Sequence, residues 1–371
     1  MRVGLIGTAF GVGVHLPGYR LVPGIEVVAI CSAQLSRAAA AAEQHGIPSF
    51  TDDYATMVQR DDIDLVDVCT PADSHHPITL AAIAAGKAVL CEKPLASDAA
   101  QAVDMVDAAA SSGVVNAVTH EFRYMPVRRH IRQLVRDGYV GDIHFVNASV
   151  FADYALNPSM EPHYHTWVSM RAEGGGVVNG LLSHHIDLLR FSFGDLHDVG
   201  GATATMITEK PVLPWEYRDG DPIGPETETI GMKAVDADDA AVVHAKLANG
   251  APVVLTGSWS VHHGSGVRLE VYGRDGTLIL DNTGTLHGGR TGEPLAEIPI
   301  PASVAVHHAD APSPLVSMFA MLAEDIAAAV DGAPPPAGDD HLFAQLADGL
   351  AVQQVIDRVS PMMSPDEMNG A

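Results

Sequence analysis

Over residues 1–118, short apolar runs alternate with helix-length stretches, and this rhythm restricts the fold more than any other feature of the chain. Arg2-Val3-Gly4-Leu5-Ile6 reads as a short buried strand. Residues 25–31, 65–69, 88–91 and 114–118 repeat the pattern. Between them lie helical stretches at 38–45, closed by Gly46, at 78–85, stopped by Gly86, and at 103–110. Strands that alternate with helices argue for a parallel, doubly wound sheet.

Ligands of such sheets bind outside the carboxyl ends of the strands. The first strand runs into Gly7-Thr8-Ala9-Phe10-Gly11-Val12-Gly13. A glycine-rich turn before a helix lets backbone N–H groups approach a pyrophosphate. Its match to G-x-G-x-x-G is imperfect. Gly7 fills the first position, Ala9 the second and Val12 the third, while Gly11 and Gly13 fall out of frame. Gly7, Thr8, Ala9 and Phe10 are the expected contacts to a dinucleotide. The second strand ends at Ser32, where an Asp or Glu ordinarily bonds the ribose hydroxyls of NAD. With no carboxylate expected nearby to repel it, and Arg37 one turn into the next helix, a 2′-phosphate has partners, which favours NADP over NAD. The competing reading makes Arg37 a plain solvated helix residue.

Glu92-Lys93-Pro94 follows the strand at 88–91. Pro94 has no N–H for the sheet and stops it. A cation planted at that strand end suits chemistry, and a solvated turn lysine is the bland alternative. A sharp exit is needed to aim the lysine, so the Lys93–Pro94 peptide is expected to be cis.

Together these residues resemble the Gfo/Idh/MocA family, that of glucose–fructose oxidoreductase and inositol dehydrogenase. The matching pieces are the Gly7 turn with His15 after it, Thr70-Pro71 with His75, and Ala85-Gly86-Lys87 leading to Glu92-Lys93-Pro94. Further on come Glu121-Phe122-Arg123-Tyr124-Met125-Pro126, Gly138-Tyr139-Val140-Gly141, Gly174-Gly175-Gly176 and Ser183-His184-His185-Ile186-Asp187. Order and spacing hold over roughly residues 1–195, and the tail at 318–359 also fits. The resemblance implies a Rossmann domain, placed at 1–122, and a substrate-binding and oligomerisation domain at 123–371 with a large, mostly antiparallel sheet. It implies a nicotinamide cofactor, with Thr70, Pro71, His75, Glu92 and Lys93 along it. Lys93 and His184 are the implied catalytic pair, and Arg123 joins them on the substrate side.

Hydride transfer at a carbinol carbon needs a group that moves the hydroxyl proton. The family often places an Asp one helical turn before the histidine, and here that position is Gly180, next to Asn179. Asp187, three residues after His184, shares its helix face and is a candidate to orient the imidazole. The helix itself is expected over 177–193, ended by Gly194. His163-x-His165, His184-His185 and His262-His263 invite a metal reading. Adjacent histidines point in different directions, however, so no metal is expected. His163, His165 and Trp167 suit a sugar pocket, since Trp stacks on C–H faces and His bonds hydroxyls. Core packing of Trp167 is the alternative.

In the second domain, strands are expected at 242–247 and 253–259 around Asn249-Gly250, with a further pair at 268–272 and 277–281. Residues 209–238, rich in Pro, Gly and acids, read as a long loop, and Pro334-Pro335-Pro336-Ala337-Gly338 as a stiff linker. At 371 residues and 47% hydrophobic, the chain supports two cored domains. A net charge of −25 argues against nucleic acid. No apolar stretch is long enough for a membrane span, and a strand starting at Arg2 leaves no room for a signal peptide. Cys31, Cys69 and Cys91 form no disulfide framework, so the expected location is cytoplasmic. The expected activity is hydride transfer to or from a carbinol or keto carbon of a sugar or cyclitol derivative. A catalytically silent cofactor-binding sensor, suggested by Gly180, and a reductase of another cyclic carbonyl compound are the alternatives. A homodimer or homotetramer is expected, because a large open sheet leaves one face to be covered.

Overall fold

The computed structural model describes residues 1–214, 224–305, 308–333 and 342–360, and the run from Pro334 to Gly338 lies outside them. The chain divides into two compact units. In the first, β1 (Arg2–Ile6), β2 (Glu26–Cys31), β3 (Phe50–Thr51), β4 (Leu65–Val68), β5 (Ala88–Cys91) and β6 (Asn116–Val118) form one sheet in the order β3-β2-β1-β4-β5-β6. Every pair in it is parallel. Parallel pairs need helical crossovers, which here are α1 (Leu16–Leu21), α2 (Leu35–His45), α3 (Tyr54–Val58), α4 (His75–Ala84) and α5 (Ala99–Ser112). Helices on the sheet bury the strands on both sides, so Leu5, Ile30, Leu65 and Leu90 are fully buried and the runs are unbroken. Strand order reverses between β1 and β4, and a crevice for a ligand opens at such a switch point.

The second unit begins at Pro126 with α6 (Pro126–Arg136) and β7 (Ile143–Phe151), and continues through α7 (Ser183–Phe193). Strands β8 (His197–Ala204), β9 (Glu209–Pro211) and β10 (Met232–Ala234) follow. Next come β11 (Ala240–Lys246), β12 (Pro252–Ser258), β13 (Gly266–Gly273), β14 (Gly276–Leu280), β15 (Leu286–Arg290) and β16 (Ala296–Glu297). Eight of these strands form a sheet in the order β16-β15-β14-β13-β7-β12-β11-β8. Only β7 and β12 run parallel in it. The expected hairpin around Asn249-Gly250 is the β11–β12 pair. The segment at 209–238 departs from the expected loop. Its ends pair as β9 and β10, with Lys210 opposite Lys233.

One face of the large sheet is closed by helix, since a Cβ on Gly257 of β12 would lie 2.5 Å from Leu182. The other face shows Phe145, Val242 and Tyr272, with Val242 at 47% exposed between the buried Ala241 and Val243.

After the second sheet the chain returns to the first unit. The last part of α8 (Pro314–Val330) and its start both belong there, and Met318, Phe319, Leu322 and Ile326 share a core with Leu5, Leu16, Tyr19 and Ile30. Ala344 bridges Val118 of β6, and α9 (Leu346–Val359) follows. The first unit therefore extends past residue 122 to Met125 and takes residues 308–333 and 342–353, which the expected division at 122/123 assigned to the second.

Candidate active site

Gly7 directly follows β1 with φ +124°, and its N–H donates to the Cys31 carbonyl at 2.9 Å. A Cβ there would lie 1.9 Å from the Cys69 carbonyl oxygen, so only glycine lets the turn form against β4. Beyond it the turn is open. Ala9 and Phe10 are exposed, Thr8 is half-buried, and a Cβ on Gly13 would meet nothing within 4 Å. Val12 and Gly13 donate back to the Ala9 carbonyl and start a turn of π-helix at Gly11–His15 that leads into α1. A phosphate has room at this turn, so the residues present fit a dinucleotide.

Ser32 and Arg37 are both half-buried, at the end of β2 and in the first turn of α2. The fold also brings carboxylates that no neighbouring residue announces. The Ser32 N–H donates to the Thr51 carbonyl, and burial together with the charges of Asp53 and Asp52 pushes the Cys31 thiol up to about 11. Asp53 is occupied as the cap of α3, accepting from the N–H groups of Ala55 and Thr56.

Thr70 and Pro71 follow β4, and Ser74 donates to the Thr70 hydroxyl at 2.7 Å. His75 starts α4. It is fully buried, with Nε2 2.7 Å from the Thr70 carbonyl and Nδ1 3.0 Å from the Pro94 carbonyl. Burial pulls its pKa down, and the ring sits between the carbonyls of two loops, donating to one of them in its neutral form.

The Lys93–Pro94 peptide is cis, as expected. Glu92 is buried and Lys93 half-buried. One oxygen of Glu92 accepts the Lys93 backbone N–H at 3.0 Å, and the other lies 3.1 Å from Nε2 of the fully buried His15. Nδ1 of His15 is 2.8 Å from Asp67, which also accepts from the Tyr19 hydroxyl at 2.9 Å. Burial opposes charge on His15, but Asp67 and Glu92 outweigh it and raise its pKa to about 10. Glu121 is buried close enough to feel Lys93. Burial and the charge of Glu92 push it up to about 8, so it is neutral at pH 7. Arg123 is buried, with its guanidinium 3.4 Å from Asp348 in the same unit.

In the second unit, Gly174-Gly175-Gly176 is pinned by Asp238. That buried carboxylate accepts from the Val178 N–H and the Ser360 hydroxyl, and its oxygen would lie 2.6 Å from a Cβ on Gly176. The helix expected over 177–193 is two pieces, a turn of π-helix at Val178–Leu182 and then α7, ended at Gly194. His184 lies in the first turn of α7 and is buried. Position 180 has no room for an acid, because a Cβ there would lie 2.8 Å from the buried Trp259 ring. His163, His165 and Trp167 are half-buried. Nδ1 of His163 is 3.2 Å from the Ala155 carbonyl, and Nε2 of His165 is 3.0 Å from the Ala234 carbonyl. Tyr164 is buried and donates to the Pro158 and Gly224 carbonyls.

His15, Cys69 and Glu92 place ligand atoms within 4.8 Å of one another. A metal-binding imidazole must be neutral, whereas His15 is held charged and both its nitrogens face carboxylates. Burial also pushes the Cys69 thiol well above its ordinary range. His15 and Glu92 belong instead to a hydrogen-bonded chain with Asp67 and Tyr19.

A parallel sheet of this order, an open glycine turn at its switch point and a lysine at a neighbouring strand end define a nicotinamide-dependent oxidoreductase. Residues 1–120 match the oxidoreductase family with an NAD-binding Rossmann fold, and residues 128–279 match the GFO/IDH/MocA C-terminal domain. The chain belongs to the Gfo/Idh/MocA family. It is 30% identical to 1,5-anhydro-D-fructose reductase of Ensifer adhaerens over 358 residues, 95% of each chain. It is 27% identical to levoglucosan dehydrogenase of Pseudarthrobacter phenanthrenivorans, over 76% of this chain and 73% of that one. The solved structure of levoglucosan dehydrogenase in complex with NADH and L-sorbose shares the fold, with a TM-score of 0.79 at 23% identity over 97% of this chain and 95% of that chain.

Proposed function

We propose that this protein is an NAD(P)-dependent dehydrogenase or reductase of a CH–OH or keto group in a sugar or cyclitol derivative. The observation that carries the reading is Lys93, set at the end of β5 beside a buried, anchored Glu92. The relatives' names, an anhydrofructose reductase and a levoglucosan dehydrogenase, support a polyhydroxylated substrate. A nicotinamide dinucleotide supplies the hydride donor or acceptor. Gly7, Thr8, Ala9 and Phe10 hold its pyrophosphate through backbone N–H groups, with Ser32 and Arg37 on the ribose side. Thr70, Pro71 and Glu92 flank Lys93, whose ammonium hydrogen-bonds the substrate oxygen and carries its proton. In the second unit, His184 is the proposed proton carrier, and His163, His165 and Trp167 are the proposed sugar contacts. The test is identification of the nucleotide that co-purifies, followed by a sugar and cyclitol panel read at the reduced-nicotinamide absorbance band. A nucleotide-free protein that turns over nothing on the panel would reject the reading.

Ser32 and Arg37 favour admission of a 2′-phosphate, and the nearby Asp52 opposes it. We expect NADP(H) and NAD(H) to bind within tenfold of each other, about 1.4 kcal/mol. Titration of both nucleotides checks this, and a larger preference for NAD would show that Asp52 outweighs Arg37.

The exposed sheet face with Phe145, Val242 and Tyr272 supports closure by a second copy, as a homodimer or homotetramer. Light scattering at micromolar concentration should give a multiple of the 38.9 kDa chain, and a monomer would overturn this. Among the described residues no helix is long and apolar enough to cross a membrane. The buried free thiols of Cys31, Cys69 and Cys91 support a reducing compartment such as the cytoplasm.

A further inference from the structure

We propose that His15 is a positioning residue for Lys93, acting through Glu92 as a buried cation that fixes where the lysine leaves its strand. The inference rests on the reading of Lys93 as the proton-carrying lysine.

His15 ends the π turn that follows the glycine loop, and its ring stacks on Phe319 at 4.0 Å with 16° between the planes. The ring bridges two strands of the sheet. One nitrogen meets Asp67 of β4 at 2.8 Å and the other meets Glu92, directly after β5, at 3.1 Å. Two carboxylates are acceptors only when ionised, so both ring nitrogens donate and the ring is an imidazolium. Glu92 then has one oxygen on His15 and the other on the Lys93 backbone N–H. From Tyr19 through Asp67, His15 and Glu92, an unbroken buried chain of hydrogen bonds ends on the peptide that carries the lysine.

The charges explain why the bridge has to be a cation. The groups that face it are Tyr19 on α1, Asp67 and Cys69 on and after β4, Glu92 and Lys93 after β5, and Glu121 after β6. With Glu121 protonated, two anions balance two cations. Burial alone would raise the pKa of Glu92, but the hydrogen bond and charge of His15, with the charge of Lys93, hold it below the ordinary carboxylate range. Without His15, Glu92 stays buried but loses the hydrogen bond and charge that hold its pKa down, and it protonates more readily. Glu92 then loses its fixed place, and Lys93 with it. A misplacement of about 1 Å at a reacting group costs on the order of 10²-fold in rate.

The test compares His15→Gln, Glu92→Gln, the double variant and Lys93→Ala in the full chain, measuring kcat, KM and nucleotide affinity between about pH 5 and 9. We expect His15→Gln to lower kcat by roughly 10- to 100-fold with nucleotide affinity within about threefold. The sign of its pH response follows from Glu92. That carboxyl is depressed by His15, so in the variant it protonates at higher pH, and activity falls on the acid side where the parent is still flat. The double variant should lack this acid-side loss, which a merely structural role for His15 would not produce. If His15→Gln keeps its kcat and pH profile while Lys93→Ala is inactive, the proposal is overturned. Turnover retained by Lys93→Ala would instead overturn the reading of the lysine. Should His15→Gln fail to fold, Glu92→Gln carries the test, and unchanged kcat in that variant overturns the proposal.

Discussion

Lys93→Ala should lower kcat by about 10³- to 10⁴-fold while nucleotide affinity stays within tenfold. The expectation follows from where the side chain starts. Lys93 leaves β5 with its own N–H bound to Glu92 and a cis peptide after it, so its backbone is held at the carboxyl end of a buried parallel strand. In the proposed mechanism, proton movement at the substrate oxygen depends on its ammonium directly. Loss of rate without loss of binding is the signature of a group that acts in the transition state. His184→Ala, expected to cost roughly 10²-fold or more, separates the two carriers. If Lys93→Ala turns over normally on every substrate of the panel, the assignment of the lysine is sunk.

Gly180→Asp, which restores the acid that many family members carry before the histidine, is expected to destabilise the protein by about 2–5 kcal/mol and not to raise activity. The Trp259 ring already fills the place. Its Cζ3 lies 2.8 Å and its Cη2 3.1 Å from where the new Cβ would be. The ring cannot swing away cheaply, since it is 3% exposed and its backbone is tied to Asp239 and Ala155. The half-buried carboxylate would have to crowd against the Trp259 ring to fit. Lys210, with its ammonium 5.9 Å from the Trp259 ring centroid, is a nearby cation, but it is buried and its pKa is pulled down by that burial. Chemical denaturation and a kcat measurement check both halves of the expectation. A variant as stable as the parent and more active would show that the missing acid, rather than the packed tryptophan, limits His184.

The first sheet was legible because buried parallel strands must be continuously apolar, and β1, β2, β4 and β5 fall within a residue of the runs that announce them. Helix starts were not. α2, α4 and α5 begin at Leu35, His75 and Ala99, ahead of their apolar stretches. α5 is started by a polar side chain instead: Asp98 accepts from the Gln101 N–H. Site residues joined within one segment, such as Glu92-Lys93-Pro94, could be read. Those joined across segments could not, as with Trp259 over Gly180, Asp238 under the glycine loop, and Asp52 beside the end of β2. Asp67 did carry a signal. A carboxylate in the middle of the apolar run at 65–69 has to find a buried partner, and His15 is that partner. The partners of His75 and Arg123, a carbonyl at Pro94 and Asp348, were not legible for the same reason, because they lie far along the chain.

The return of α8 to the first unit has a consequence for how the protein is made. On the ribosome, β1 to β6 emerge long before Phe319, whose ring stacks on His15 and packs edge-on against Tyr19. At roughly 5–20 residues per second, the whole second sheet is translated in the interval, on the order of 10–40 seconds. In the finished fold the Phe319 ring fills the space at Gly18, where a Cβ would lie 2.5 Å from it. The core that the first sheet shares with α8 is thus completed only once that late-made helix has been translated.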